Sequence, residues 1–166
     1  VTGRVFIFGD NIDTDIIAPG GFLHLGLDVL KLHSMEAVDP NFHAEVGQGD
    51  ILVAGRNFGG GSSREQAPLV LKELGIEVVL AVSFARIFFR NAINVGLMIS
   101  TISEEEYRYF QNEDTARYDP VRGLVNLDVI HQAIEIKQPG EPLWSIISAG
   151  GLVNYVKMSL KKQNDG

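Results

Sequence analysis

A chain of 166 residues with 45% hydrophobic and 21% charged residues suits one folded domain over residues 1–166 with a real core, not a disordered segment. A formal net charge of −7 and the lack of any basic run argue against nucleic-acid binding. Cysteine is absent, which excludes disulfides, thiolate catalysis and cysteine-held zinc or iron–sulfur clusters within the chain. No signal peptide and no apolar stretch near the ~20 residues of a membrane span is visible, so a soluble, cytoplasmic protein is expected.

Val5-Phe6-Ile7-Phe8 is an apolar run ended by Gly9-Asp10-Asn11, which predicts a buried strand and a turn. Asp10, Asn11, Asp13 and Asp15 then crowd together. They lack the glycine and glutamate that a calcium loop requires, so the cluster reads as Asx turns at the edge of a site. Pro19-Gly20-Gly21 opens a flexible loop carrying Phe22, Leu23, His24 and Leu25, either a specificity lid or a turn packed on itself. Residues 27–35 read as a short helix and residues 50–54 as a strand.

The strand leads into Asn57-Phe58-Gly59-Gly60-Gly61-Ser62-Ser63-Arg64-Glu65. Consecutive glycines break regular structure and let other groups approach the backbone closely. A helical pattern over 62–74 follows, so the loop is expected to deliver Ser62 and Ser63 to a helix N-terminus, where unpaired N–H groups favour a carboxylate or phosphate. The structural alternative is a capping box, Ser62 with Glu65 or Ser63 with Gln66. Arg64 in a first helical turn opposes the macrodipole, which points to an anionic partner. Pro68 predicts an irregular first turn or a delayed start.

Residues 77–82 form a second strand, completing a βαβ unit with a parallel sheet, in which ligands sit at the carboxyl ends of strands. Phe84, Ile87, Phe88 and Ala92 make a helical stripe, with Arg90 read as solvated, and residues 97–101 make a third core strand. Ser103 caps a helix with Glu104, Glu105 and Glu106 in its first turn. Residues 111–120 are polar and read as a loop. Residues 123–128 and 133–137 read as strands, and Leu152, Val156 and Leu160 mark a last helix. The four histidines form no metal-ligand pattern, and no nucleophile elbow occurs. If Ser62 acts as a base, something other than histidine must activate it.

Three separated motifs, DNIDTDIIAPGGFL (10–23), GRNFGGGSSREQAP (55–68) and SFARIFFRNAINVGL (83–97), together resemble the small subunit of 3-isopropylmalate dehydratase, which is similar to the swivelling fourth domain of aconitase. The resemblance implies an α/β fold, a swivelling β/β/α three-layer domain. It implies a partner, an aconitase-like large subunit whose own cysteines hold a [4Fe–4S] cluster, so that this chain binds no metal or cofactor itself. A homo-oligomer of the isolated chain stays open. It implies hydro-lyase chemistry on an alkylmalate in leucine biosynthesis. Residue by residue, Ser62 matches the catalytic base and Arg64 the cation beside it. Ser63, Asp15, Thr14 and Gly61 match substrate-binding positions.

Two departures stand out. Many relatives carry cysteine where Gly60 stands and histidine where Gln66 stands. Relatives acting on tricarboxylates carry an arginine in the loop after Asp15. Here that loop, with Gly21, Phe22, Leu23, His24 and Leu25, has none and offers apolar surface instead. This favours 3-isopropylmalate over citrate or homocitrate, with 2,3-dimethylmalate, 2-methylmalate and homoaconitate chemistry as alternatives. A non-catalytic anion-binding module of the same fold is the other class of reading.

Overall fold

The computed structural model describes residues 2–164. Its strands are β1 (Thr2–Ile7), β2 (Asp50–Ala54), β3 (Ile76–Ala81), β4 (Met98–Thr101), β5 (Thr115–Asp119), β6 (Leu124–Leu127) and β7 (Gln132–Glu135). They form one sheet in the order β4-β3-β2-β1-β5-β6-β7. β1 to β4 run parallel, and β5 pairs β1 antiparallel before β6 and β7 continue as a meander.

β2 is buried along its whole length, as a central parallel strand covered on both faces must be. Its alternating side chains feed two cores. Leu52 and Ala54, with Val79 and Ala81, face a helical layer. That layer holds Ile17 of α1 (Thr14–Ile17), Leu30 of α2 (Leu27–His33), Phe42 of α3 (Phe42–Glu45), Val70 and Leu71 of α4 (Gln66–Glu73), and Phe88 and Ala92 of α5 (Arg86–Val95). Ile51 and Val53, with Val78 and Leu80, face the opposite way and pack on Ala116, Tyr118, Val125 and Ile134 of the antiparallel half. The sheet therefore curls over itself, and its two halves plus the helices give three β/β/α layers. The remaining helices are α6 (Glu104–Tyr107), α7 (Leu143–Ser148) and α8 (Leu152–Asn164). Ser103 and Glu106 make the reciprocal capping box expected at α6.

Two expectations need correction. Residues 111–120 are not simply a loop, because β5 occupies 115–119. Only Ala116 and Tyr118 point inward there, while Thr115 and Arg117 are exposed, so the apolar signal is too short to stand out. The helix expected over 62–74 begins at Gln66, and neither Ser62 nor Ser63 caps it. Pro68 explains the delay. It stands at the third helical position, the last region where a missing N–H costs no intrahelical bond. Arg64 consequently lies ahead of the helix, not in its first turn, and the dipole argument about it does not apply.

Candidate active site

The loops that leave the carboxyl ends of β1 and β2 are stitched together. The Gly59 N–H donates to the Ile12 carbonyl at 2.7 Å, and the Thr14 N–H donates to the Gly60 carbonyl at 2.8 Å. The Ser62 N–H donates to Thr14 Oγ1 at 3.1 Å. Thr14 is buried, so its hydroxyl is a fixed acceptor under the serine. The Asp13 carboxylate caps α1 by accepting from the Ile16 N–H at 2.8 Å. A third loop joins them where the Asn57 N–H donates to Ser83 Oγ at 2.8 Å. The glycines allow this because Gly59 and Gly61 hold φ of +80° and +97°.

Ser62 and Ser63 are exposed, and neither hydroxyl has a protein partner among the described residues. Arg64 sits beside them, with its side chain only 22% exposed. Its Nη1 donates to Asp15 Oδ1 at 2.9 Å and to the Ala18 carbonyl at 3.1 Å. Nη2 and Nε have no protein acceptor among the described residues, so one edge of the guanidinium fork stays available for an anion. Asp15 Oδ1 also accepts the Gly20 N–H at 2.9 Å. Of the residues singled out in the sequence, the structure thus brings Ser62, Thr14, Arg64 and Asp15 into one bonded group, with Gly61 and Ser63 adjoining. The Ala18 carbonyl and the Gly20 amide were not foreseen, since a backbone group carries no residue signature. Among the described residues, no group of three or more His, Asp or Glu side chains is placed to hold a metal ion.

The Arg64 hydrogen bond and then the Gly20 amide hold the Asp15 carboxyl below the ordinary aspartate value; burial pulls the other way, and the Arg64 charge adds the smallest lowering effect. The folded chain therefore takes up this proton less readily than the unfolded one. The stabilisation is complete above the unfolded pKa of about 3.9 and is lost as pH falls through the lower folded value. With Asp15 68% exposed the effect on stability is small. The Asp15 side-chain midpoint in an NMR titration should lie below 3.8, and Arg64→Ala should move it back upward.

The segment expected to be a flexible loop is a 3-10 helix, Gly20–Leu25. Phe22 and Leu23 pack partly against the helical core, whereas Gly21, His24 and Leu25 are exposed. Gly60 tests the other departure. The nearest atoms that a Cβ built there meets are those of the Asn57 side-chain amide, at 3.1–3.4 Å, and the backbone is not left-handed. Gly60→Cys is therefore expected to shift stability by less than about 1 kcal/mol, as urea unfolding would show.

A three-layer β/β/α domain presenting Gly-Ser-Ser-Arg at the carboxyl end of a parallel strand defines the aconitase C-terminal domain class, and the model of the family described as "Aconitase C-terminal domain" matches residues 28–105. Within that class the chain belongs to the 3-isopropylmalate dehydratase small-subunit family. It is 44% identical over 160 residues to the 3-isopropylmalate dehydratase small subunit of Halothermothrix orenii, covering 96% of each chain. It is also 44% identical over 156 residues to the methanogen homoaconitase small subunit of Methanothermobacter thermautotrophicus, covering 93% of this chain and 89% of that one. The crystal structure of 3-isopropylmalate dehydratase from Methanocaldococcus jannaschii superimposes with a TM-score of 0.89 at 41% identity, covering 99% of this chain and 98% of that one.

Proposed function

We propose that this chain is the small subunit of a heteromeric hydro-lyase that interconverts 2-isopropylmalate and 3-isopropylmalate by dehydration and rehydration. The observation that carries the proposal is an exposed Ser62, its hydroxyl without a protein partner among the described residues, two positions from an Arg64 that Asp15 holds by one edge. A [4Fe–4S] cluster on an aconitase-like large subunit would supply a Lewis-acidic iron for the substrate hydroxyl.

The remaining work falls to residues of this chain. Ser62 Oγ removes the proton from the carbon next to a substrate carboxylate. A serine hydroxyl is a very weak acid, so its anion needs nearby positive potential. The helix start once expected to supply that lies four residues further on. The charge available is that of Arg64, and the amides of the exposed residues Gly61 and Ser63 bond no protein group among the described residues. The free edge of Arg64 takes the carboxylate, and Asp15 fixes the other edge. Between residues 20 and 26 no cation stands ready for a third carboxylate, and Phe22, Leu23 and Leu25 offer apolar contact to an alkyl branch. Such contact is worth about 1–3 kcal/mol, enough to bias among alkylmalates.

The homoaconitase relative favours a second reading, a tricarboxylate substrate, because the overall identity is the same for both relatives. The experiment is co-expression with the aconitase-like large subunit and anaerobic assay of 3-isopropylmalate, 2,3-dimethylmalate and homocitrate through absorbance of the unsaturated intermediate. Fastest turnover of 3-isopropylmalate is expected. A preference for homocitrate would overturn the substrate. Binding of alkylmalate by calorimetry without any turnover would make the chain an anion-binding module.

A further inference from the structure

The substrate segment is not self-supporting. Gly20–Leu25 is a 3-10 helix with no side-chain cap and no fully buried residue, a poor basis for a defined pocket wall. At its start it is tied to the catalytic loop through the Gly20 amide, Asp15 and Arg64. In its middle a different contact holds it. The Phe22 ring lies flat on the His33 imidazole, with centroids 3.6 Å apart and planes 3° from parallel. His33 is itself fixed from behind, with Nδ1 at 2.9 Å from Glu36 Oε2. A carboxylate only accepts, so Nδ1 carries the proton and the ring cannot rotate out of the stack without breaking that bond.

We infer that His33 is a positioning residue for alkyl-group selectivity. Clamped by Glu36, it sets the plane of Phe22 and with it the apolar wall of the 20–25 segment. The inference rests on the alkylmalate reading above for its kinetic part, but the clamp itself is a property of the isolated chain. His33 lies in α2, outside the residues that adjoin Ser62, so its effect on catalysis must pass through Phe22. That gives it a signature: binding of the alkyl branch suffers and the proton-transfer step does not.

The experiment has two arms. In the isolated chain, hydrogen exchange of the Gly21–Leu25 amides is followed in wild type, His33→Ala and His33→Phe. In the complex with the large subunit, KM and kcat are measured for 3-isopropylmalate and for malate lacking the branch. His33→Ala should speed exchange and raise KM for 3-isopropylmalate about tenfold, the lower end of what one apolar contact discriminates, with kcat and the malate constants within about twofold. His33→Phe keeps the stack and should recover most of both. Phe22→Leu should reproduce the selectivity loss, and Phe22→Leu with His33→Ala should be no worse than either alone, since both break one contact.

Unchanged exchange in His33→Ala, an equal fall in kcat for both substrates, or His33→Phe as poor as His33→Ala would each overturn the clamp. If the wild-type complex turns over no alkylmalate while exchange behaves as expected, the functional reading fails and the clamp stands. If His33→Ala does not fold, the Phe22→Leu and His33→Phe results decide.

Discussion

Ser62→Ala in the assembled enzyme is expected to lower kcat by about a thousandfold while leaving assembly and stability unchanged. A positioned general base contributes about 10²–10⁴ to rate, and a serine whose hydroxyl serves no structural bond has no other role to lose. The structure isolates the hydroxyl in this way. Only the Ser62 backbone is engaged, its N–H on Thr14 Oγ1 and its carbonyl accepting the Arg64 N–H at 2.9 Å, and alanine keeps both bonds. The thermal midpoint should therefore move little, since exposed substitutions away from such features stay within about 0.5 kcal/mol. Ser63→Ala, lacking the same match to the base, should cost much less. The assay is absorbance of the unsaturated intermediate, with gel filtration of the complex as the control for assembly. Full activity in Ser62→Ala would sink the base assignment, and comparable losses in Ser62→Ala and Ser63→Ala would mean that the loop, not one hydroxyl, carries the effect.

That clean separation of backbone and side chain was only partly legible in the sequence. The parallel half of the sheet was, because β2 and β3 are apolar from Ile51 to Ala54 and from Val78 to Ala81, and the Gly-rich loop falls where a βαβ unit puts its ligand. The three motifs, 10–23, 55–68 and 83–97, do converge on one end of the molecule, through the Ile12–Gly59, Thr14–Gly60 and Ser83–Asn57 bonds. The antiparallel half was harder. β5 spends alternate residues on solvent and pairs with β1 through backbone groups that residue identity does not reveal. The start of α4 was misplaced because Ser-Ser-Arg-Glu satisfies a capping pattern as well as it satisfies a loop, and only Pro68 argued for the later start. His33 left no trace at all. A histidine near the end of a short helix looks like any surface residue until Phe22 is seen lying on it.

Gly59 carries the other large expectation. A glycine run leaves room for another group to approach the backbone. At Gly59 the group that approaches is Phe88 of α5, not a ligand. A Cβ there would fall 2.1 Å from Phe88 Cγ and 2.5 Å from Phe88 Cβ, and φ is +80°. Two costs add. A left-handed residue with a side chain pays about 1–2 kcal/mol, and forcing an atom into a packed core pays about 1–3 kcal/mol more. Phe88 has little freedom to yield, being 2% exposed and packed edge-on against Phe58 at 5.2 Å. Gly59→Ala is therefore expected to destabilise by about 2–5 kcal/mol, a large share of the roughly 5–15 kcal/mol a domain possesses. Urea unfolding would show it as a lower midpoint at constant slope. Gly61→Ala is the internal control. It shares the positive φ, at +97°, but its nearest neighbour is Thr14 Oγ1 at 3.3 Å, so only the backbone cost should appear. Adding Phe88→Leu to Gly59→Ala should recover part of the loss, because the two substitutions touch the same space. Equal destabilisation by Gly59→Ala and Gly61→Ala would show that the clash with Phe88 is relieved cheaply. Activity should fall further than stability in any Gly59→Ala that still folds, since Gly59 pins the loop to Ile12 and a displacement of about 1 Å at a reacting group costs about a hundredfold in rate.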